Sequence, residues 1–122
     1  MSIKTLLVIE DDEFMIKQIT QLSAAVGFTN LLLKDDLPSD DDYQQADLII
    51  TDINVPKISG IAHIDKIIQL AQRKPVVVIS GLDEQTLDST IAVLKLTKVN
   101  IVASFTKPFN RKDFKSILSQ YS

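Results

Sequence analysis

The chain has 122 residues, 45% of them apolar and 24% charged, with a mean hydropathy of +0.14 and a formal net charge of −3. That is the length and balance of one domain, residues 1–122, with a core of its own, and it excludes disorder for the bulk of the chain. With no cysteine, three Gly and four Pro, the sequence also excludes a disulfide scaffold, a thiolate metal site and low-complexity architecture.

The predicted elements alternate along the chain. Thr5–Ile9 is a continuous β-branched and apolar run, the mark of a strand buried on both faces. Met15, Ile19, Leu22 and Val26 follow at helical spacing, and Gly27 is placed to stop that helix. Asn30–Leu33 is a second short strand. Lys34–Asp42, polar and acidic with Pro38, reads as a solvated loop leading into a short helix around Tyr43–Ala46. Leu48–Ile53 is the third strand and Asn54–Gly60 a loop.

A clearer helix carries Ile61, Ile64, Ile67, Ile68 and Ala71 on one face, with His63 expected to be partly exposed. Pro75 resets the chain before a fourth strand, Val76–Ile79. Leu82–Lys98 is helical by pattern, Asn100–Phe105 is a fifth strand, and Asn110 caps a last helix bearing Phe114, Ile117, Leu118 and Tyr121. Strands alternating with helices predict βαβ units, hence an α/β fold with a parallel five-stranded sheet covered on both faces.

No wholly apolar run exceeds four residues, whereas a spanning helix needs ~20. The acids Glu10–Glu13 interrupt any secretory signal after Lys4, so the expected location is cytoplasmic, with no membrane contact. Residues 1–52 hold eleven acids and three bases; residues 53–122 hold five acids and ten bases. The acidic total argues against direct binding to nucleic acid.

In a doubly wound sheet, function sits beyond the carboxyl ends of the strands. Those positions hold Glu10 and Asp11, Asp52, Ser80 and Lys107. Clustered carboxylates repel one another and call for a hard divalent cation such as Mg²⁺, which keeps several waters. An ammonium and a hydroxyl nearby suit phosphoryl oxygens, so the set could transfer phosphate to a carboxylate. Taken singly, each residue has an ordinary role: acids at a helix start, turn residues, a capping Ser, a solvated Lys. Asp40-Asp41-Asp42, with Asp35 and Asp36, lacks the Gly and final Glu of an EF-hand loop and reads as solvated. Arg111, Lys112 and Lys115 read as the solvent face of the last helix.

In order along the chain, Leu6–Asp12, Asp47–Pro56 with Gly60, Val78–Gly81 and Phe105–Phe109 resemble the receiver domain of two-component response regulators. The resemblance implies a flavodoxin-like (βα)5 sheet in strand order 2-1-3-4-5. It implies that Asp52 is the phosphoacceptor, that Lys107 and Ser80 are its catalytic and switching partners, and that Lys107–Pro108 is cis. Mg²⁺ would be held by Asp11 directly, by Glu10 through water, by Asp52, and by the backbone carbonyl of Asn54. The register within Glu10–Glu13 is open by one position; Glu10 and Asp11 are preferred because they abut the strand.

By the same resemblance, a sensor histidine kinase or a histidine phosphotransfer protein supplies the phosphoryl group and a downstream protein or domain reads the result. Homodimerisation through the fourth and fifth helices is left open, and no output module is expected within the 122 residues. Two departures stand out. Ser104 occupies the position where receivers carry an aromatic switch residue, and the stretch from Ser80 to Lys107 is longer than usual. Ser80-Gly81-Leu82-Asp83 before a long helix is similar to receivers attached to cyclic-di-GMP phosphodiesterase outputs. The competing readings are a phosphorylation-independent pseudo-receiver that only binds partners, and a Mg²⁺-dependent aspartyl-phosphate phosphohydrolase. The latter is disfavoured because Asn54 stands where a second aspartate would serve. The expected protein is thus a phosphoacceptor with slow autodephosphorylation rather than an enzyme.

Overall fold

A computed structural model describes residues 4–52, 60–71, 73–81 and 83–122. Among these, the elements run β1 (Thr5–Ile9), α1 (Glu13–Ala25), β2 (Asn30–Lys34), α2 (Asp40–Gln45) and β3 (Leu48–Asp52). They continue with α3 (Gly60–Leu70), β4 (Val76–Ser80), α4 (Glu84–Leu96), β5 (Ile101–Thr106) and α5 (Arg111–Tyr121). Asn54 and the rest of 53–59 lie outside the described residues, as do Leu82 and the side chains of Ile61 and Ile64.

All strands are parallel, in the order β2-β1-β3-β4-β5. The continuous apolar reading of the inner strands follows from their two covered faces. Leu6 and Val8 of β1 pack with Met15, Ile19 and Leu22 of α1 and with Phe114 and Leu118 of α5. Leu7 and Ile9, pointing the other way, pack with Tyr43 of α2, Ile67 of α3, and Leu87 and Ile91 of α4. The (βα)5 doubly wound architecture expected from the sequence is therefore the one observed.

Local chemistry sets the helix ends. Asp12 caps α1 by accepting from the Phe14 and Met15 amides at 2.9 and 3.4 Å, and Gly27, at φ 100°, turns the chain away after it. Lys98 takes φ 66°, so α4 stops at Leu96 rather than running to Lys98. Along β5 one extra residue enters opposite Val76 and Val77, so that Val77 pairs with Ala103 and Ser80 with Thr106.

The acidic stretch before Tyr43 differs from the expected solvated loop. Ser39 forms a reciprocal cap with Asp42, accepting from the Asp42 amide at 3.2 Å while its own amide donates to Asp42 Oδ2 at 3.0 Å. The helix consequently starts at Asp40, and its three acids sit in the first turn, where the helix dipole favours them. Asp42 is buried and lies 3.4 Å from Lys34 Nζ, and the Ser39 hydrogen bonds and Lys34 overcome burial to hold its carboxyl below the usual range.

Candidate functional site

The site is assembled by strand register. Ile9 lies level with Thr51 in the β1–β3 pair, so Glu10 and Asp52, one step further, emerge side by side. Asp52 is level with Ile79, which places Ser80 one step beyond it on β4. The amide of Lys107 donates to the Ser80 carbonyl at 2.7 Å, fixing the segment after β5 against the end of β4. The Lys107–Pro108 bond is cis. Four strand ends thus deliver Glu10, Asp52, Ser80 and Lys107 to one edge at the switch point in strand order.

Lys107 Nζ sits 2.7 Å from Asp52 Oδ2 and 2.8 Å from Glu10 Oε2, bridging two carboxylates that are 7% and 1% exposed as residues. Glu10 Oε1 accepts from the amides of Asp11 and Asp12 at 3.0 and 3.1 Å, which orients its other oxygen toward the ammonium. Burial pushes the Glu10 carboxyl above its ordinary value against the pull of Lys107 and the Asp12 amide. For Lys107, burial acts to lower the ammonium, but its hydrogen bonds to Asp52 and Glu10 carry it above its ordinary value.

Glu10, Asp11 and Asp52 each offer a carboxylate oxygen within 4.8 Å of the others. Asp11 is the exposed member, open to solvent where a hydrated cation would approach. Three hard oxygen donors of this kind suit Mg²⁺. Asp12, by contrast, is occupied in capping α1. Of the four acids Glu10–Glu13, Glu10 and Asp11 are thus the two whose carboxylates group with that of Asp52. Asn54 lies outside the described residues.

Ser80 is buried at the end of β4. Ser104, which stands where the resemblance implies an aromatic residue, is exposed, while Phe105 turns into the core against Phe109 and Phe114. Behind Asp52, Ile67, Ile68, Val76, Val78 and Leu94 line a largely apolar cavity of about 460 Å³. The carboxylate stands between a charged edge and an apolar interior.

His63 corrects the expectation of partial exposure. It is only 6% exposed, with Nδ1 at 2.7 Å from the Tyr43 hydroxyl and Nε2 at 3.1 Å from Thr51 Oγ1. Burial lowers its pKa to about 4. The signal was present in the spacing: His63 precedes the inward Ile67 and Ala71 by four and eight residues, on one helix face.

Comparison with known proteins agrees with this geometry. The family model described as "Response regulator receiver domain" matches residues 6–119. The chain is 30% identical over 111 residues to the chemotaxis protein CheY of Treponema pallidum (strain Nichols), covering 87% of this chain and 74% of that one. Among solved structures, a response regulator from Colwellia psychrerythraea superposes with a TM-score of 0.75 at 21% identity, over 98% of this chain and 96% of the other. The receiver domain of a sensor histidine kinase from Pseudomonas aeruginosa PAO1, solved with a magnesium ion coordinated in its active-site cleft, gives 0.73 at 18% identity, covering 98% of each chain.

Proposed function

Because the chain belongs to the response regulator receiver family of two-component signalling, we propose that it is a single receiver domain, residues 1–122, whose phosphoacceptor is Asp52. The observation that carries this reading is the bridge from Lys107 Nζ to Asp52 Oδ2 and Glu10 Oε2 beside the third carboxylate of Asp11. In the proposed reaction an Asp52 carboxylate oxygen attacks the phosphorus of a phosphohistidine. The P–N bond breaks as the new P–O bond forms, and the imidazole leaves toward its own protein. The donor is a histidine kinase or histidine phosphotransfer protein.

Lys107 already holds the nucleophilic carboxylate and is placed to follow its charge onto the phosphoryl oxygens. Ser80 contributes a hydroxyl from the neighbouring strand end. Glu10, Asp11, Asp52 and the Asn54 carbonyl are the groups that would hold Mg²⁺, which when bound neutralises phosphoryl oxygens. We read the chain as an acceptor with slow self-hydrolysis, not as a phosphohydrolase, because the position two residues after Asp52 is Asn54 rather than an acid.

Output is assigned to the surface of α4, β5 and α5, where phosphorylation shifts the balance of two states. Val93 and Leu96, 63% and 83% exposed on α4, give that surface apolar contacts for a partner protein. The exposed Ser104 favours a second reading, a module that binds partners without switching. Intact-protein mass after acetyl phosphate and Mg²⁺ separates the two. The switch requires a gain of one phosphoryl group that disappears in Asp52→Asn and on chelation of Mg²⁺. A wild type that gains none, from acetyl phosphate or from a kinase, leaves the constitutive module standing.

A further inference from the structure

We propose that His63 is a positioning residue for Asp52, acting through Thr51 along a one-way row of hydrogen bonds that begins at Tyr43. This rests on Asp52 being the phosphoacceptor. The row crosses three elements: Tyr43 on α2, His63 on α3 and Thr51 on β3, all buried. Its direction is forced by donor arithmetic. The Thr51 hydroxyl donates to the main-chain carbonyl of Asp52 at 3.0 Å, which leaves its oxygen as acceptor toward His63. His63 Nε2, at 3.1 Å, must then carry the proton, and Nδ1, at 2.7 Å from the Tyr43 hydroxyl, must accept.

Every link therefore points toward the last paired residue of β3. Tyr43 is itself secured, since Lys74 Nζ donates to the Tyr43 carbonyl at 3.0 Å and to the carbonyl of Gln44. Thr51 faces the side of the sheet on which Ile49 packs with Tyr43 and Ile67, whereas Asp52 emerges from the opposite pleat toward Lys107. The row grips the backbone at the carbonyl of Asp52 from the side away from the charged cluster. Its consequence is mechanical: the carboxylate keeps its 2.7 Å approach to Lys107 because the strand end behind it cannot turn.

The test is the rate at which acetyl phosphate with Mg²⁺ adds a phosphoryl group, followed by intact mass, with folding checked by circular dichroism. Thr51→Val keeps the side-chain volume and deletes the hydroxyl; Thr51→Ser restores the hydroxyl and deletes the methyl. We expect Thr51→Val and His63→Leu each to slow the reaction about tenfold, and Thr51→Ser to stay within about twofold of wild type. The double variant Thr51→Val/His63→Leu should be no slower than the slower single one, because both cut the same row.

Thr51→Val at the wild-type rate, Thr51→Ser as slow as Thr51→Val, or single effects that multiply in the double variant would each overturn the proposal. Should His63→Leu fail to fold, the two Thr51 variants decide the matter alone. Imidazole ¹⁵N shifts give a second reading: the Nε2–H tautomer is required, and the Nδ1–H tautomer contradicts the row. A wild type that takes up no phosphoryl group defeats the acceptor reading itself, which keeps that failure distinct from one confined to His63.

Discussion

At the end of β3 the side chain of Asp52 meets an ammonium and lies among two further carboxylates, whereas the carbonyl of the same residue ends a row of neutral hydrogen bonds. The two clusters use burial differently. Around Glu10 and Lys107, ionised groups are held together where a solvent-facing acid, Asp11, keeps one side open. Around His63 the groups are uncharged, and each is satisfied by the next. Charge concentrated at low solvation destabilises a fold unless it is paired, so it is found where a ligand will complete it. A satisfied neutral row costs little and specifies one backbone geometry.

The largest expected effect comes from removing the Lys107 ammonium from the charged cluster. Lys107→Met leaves Glu10 and Asp52 facing each other without it, and urea unfolding in chelator should show a loss of about 3–5 kcal/mol. Added Mg²⁺ should recover part of that loss; equal losses with and without Mg²⁺ would contradict the metal assignment.

The neutral row should respond to pH instead. The folded protein holds His63 near pKa 4, while the unfolded chain protonates it near 6.5. Between those values the unfolded state binds more protons, so stability falls as pH drops through 6.5 toward 4. The His63 contribution to that fall should reach about 3 kcal/mol, read as the difference between wild type and His63→Gln in denaturant titrations at pH 7 and pH 4. Parallel pH profiles for the two proteins would mean that the imidazole is not buried as described.

Tyr43→Phe tests the far end of the row more gently. It leaves His63 Nδ1 without its donor and should lower the unfolding free energy by about 1–3 kcal/mol, with no dependence on Mg²⁺. The smallest effect is expected at an ion pair outside both clusters. Lys66 Nζ lies 2.7 Å from Asp40 Oδ1, but both side chains face water. Lys66→Ala should change stability by less than about 0.5 kcal/mol, and a larger loss would show that proximity rather than burial governs charge pairing here.

The sequence made the strands and the strand-end residues legible for one reason. Leu6–Ile9, Leu48–Ile50 and Val76–Ile79 are apolar on both faces, so the first polar residue after each run marks the carboxyl edge of the sheet. Glu10 and Ser80 are read off that way, Asp52 stands one residue beyond the first polar residue of its run, Thr51, and Lys107 follows β5. What escaped depends on partners distant in sequence. His63 looked like a polar interruption between Ile61 and Ile64, because its hydrogen-bonding neighbours are 20 and 12 residues away. The start of α2 was hidden by an Asp, rather than the more familiar Glu, closing the cap with Ser39. The extra residue in β5 is a property of pairing with β4, and no local pattern announces it.

The ion pair between Lys107 and Asp52 joins residues 55 positions apart, and the lysine follows the last strand of the sheet. During synthesis the acids emerge first and their counter-ion last. A chain halted before residue 107 would carry its carboxylates without that ammonium, and the cluster at the sheet edge would lack the group that bridges Glu10 and Asp52. The joining of the charged cluster therefore comes only when translation has passed the fifth strand, so this ion pair doubles as a report that the sheet is complete.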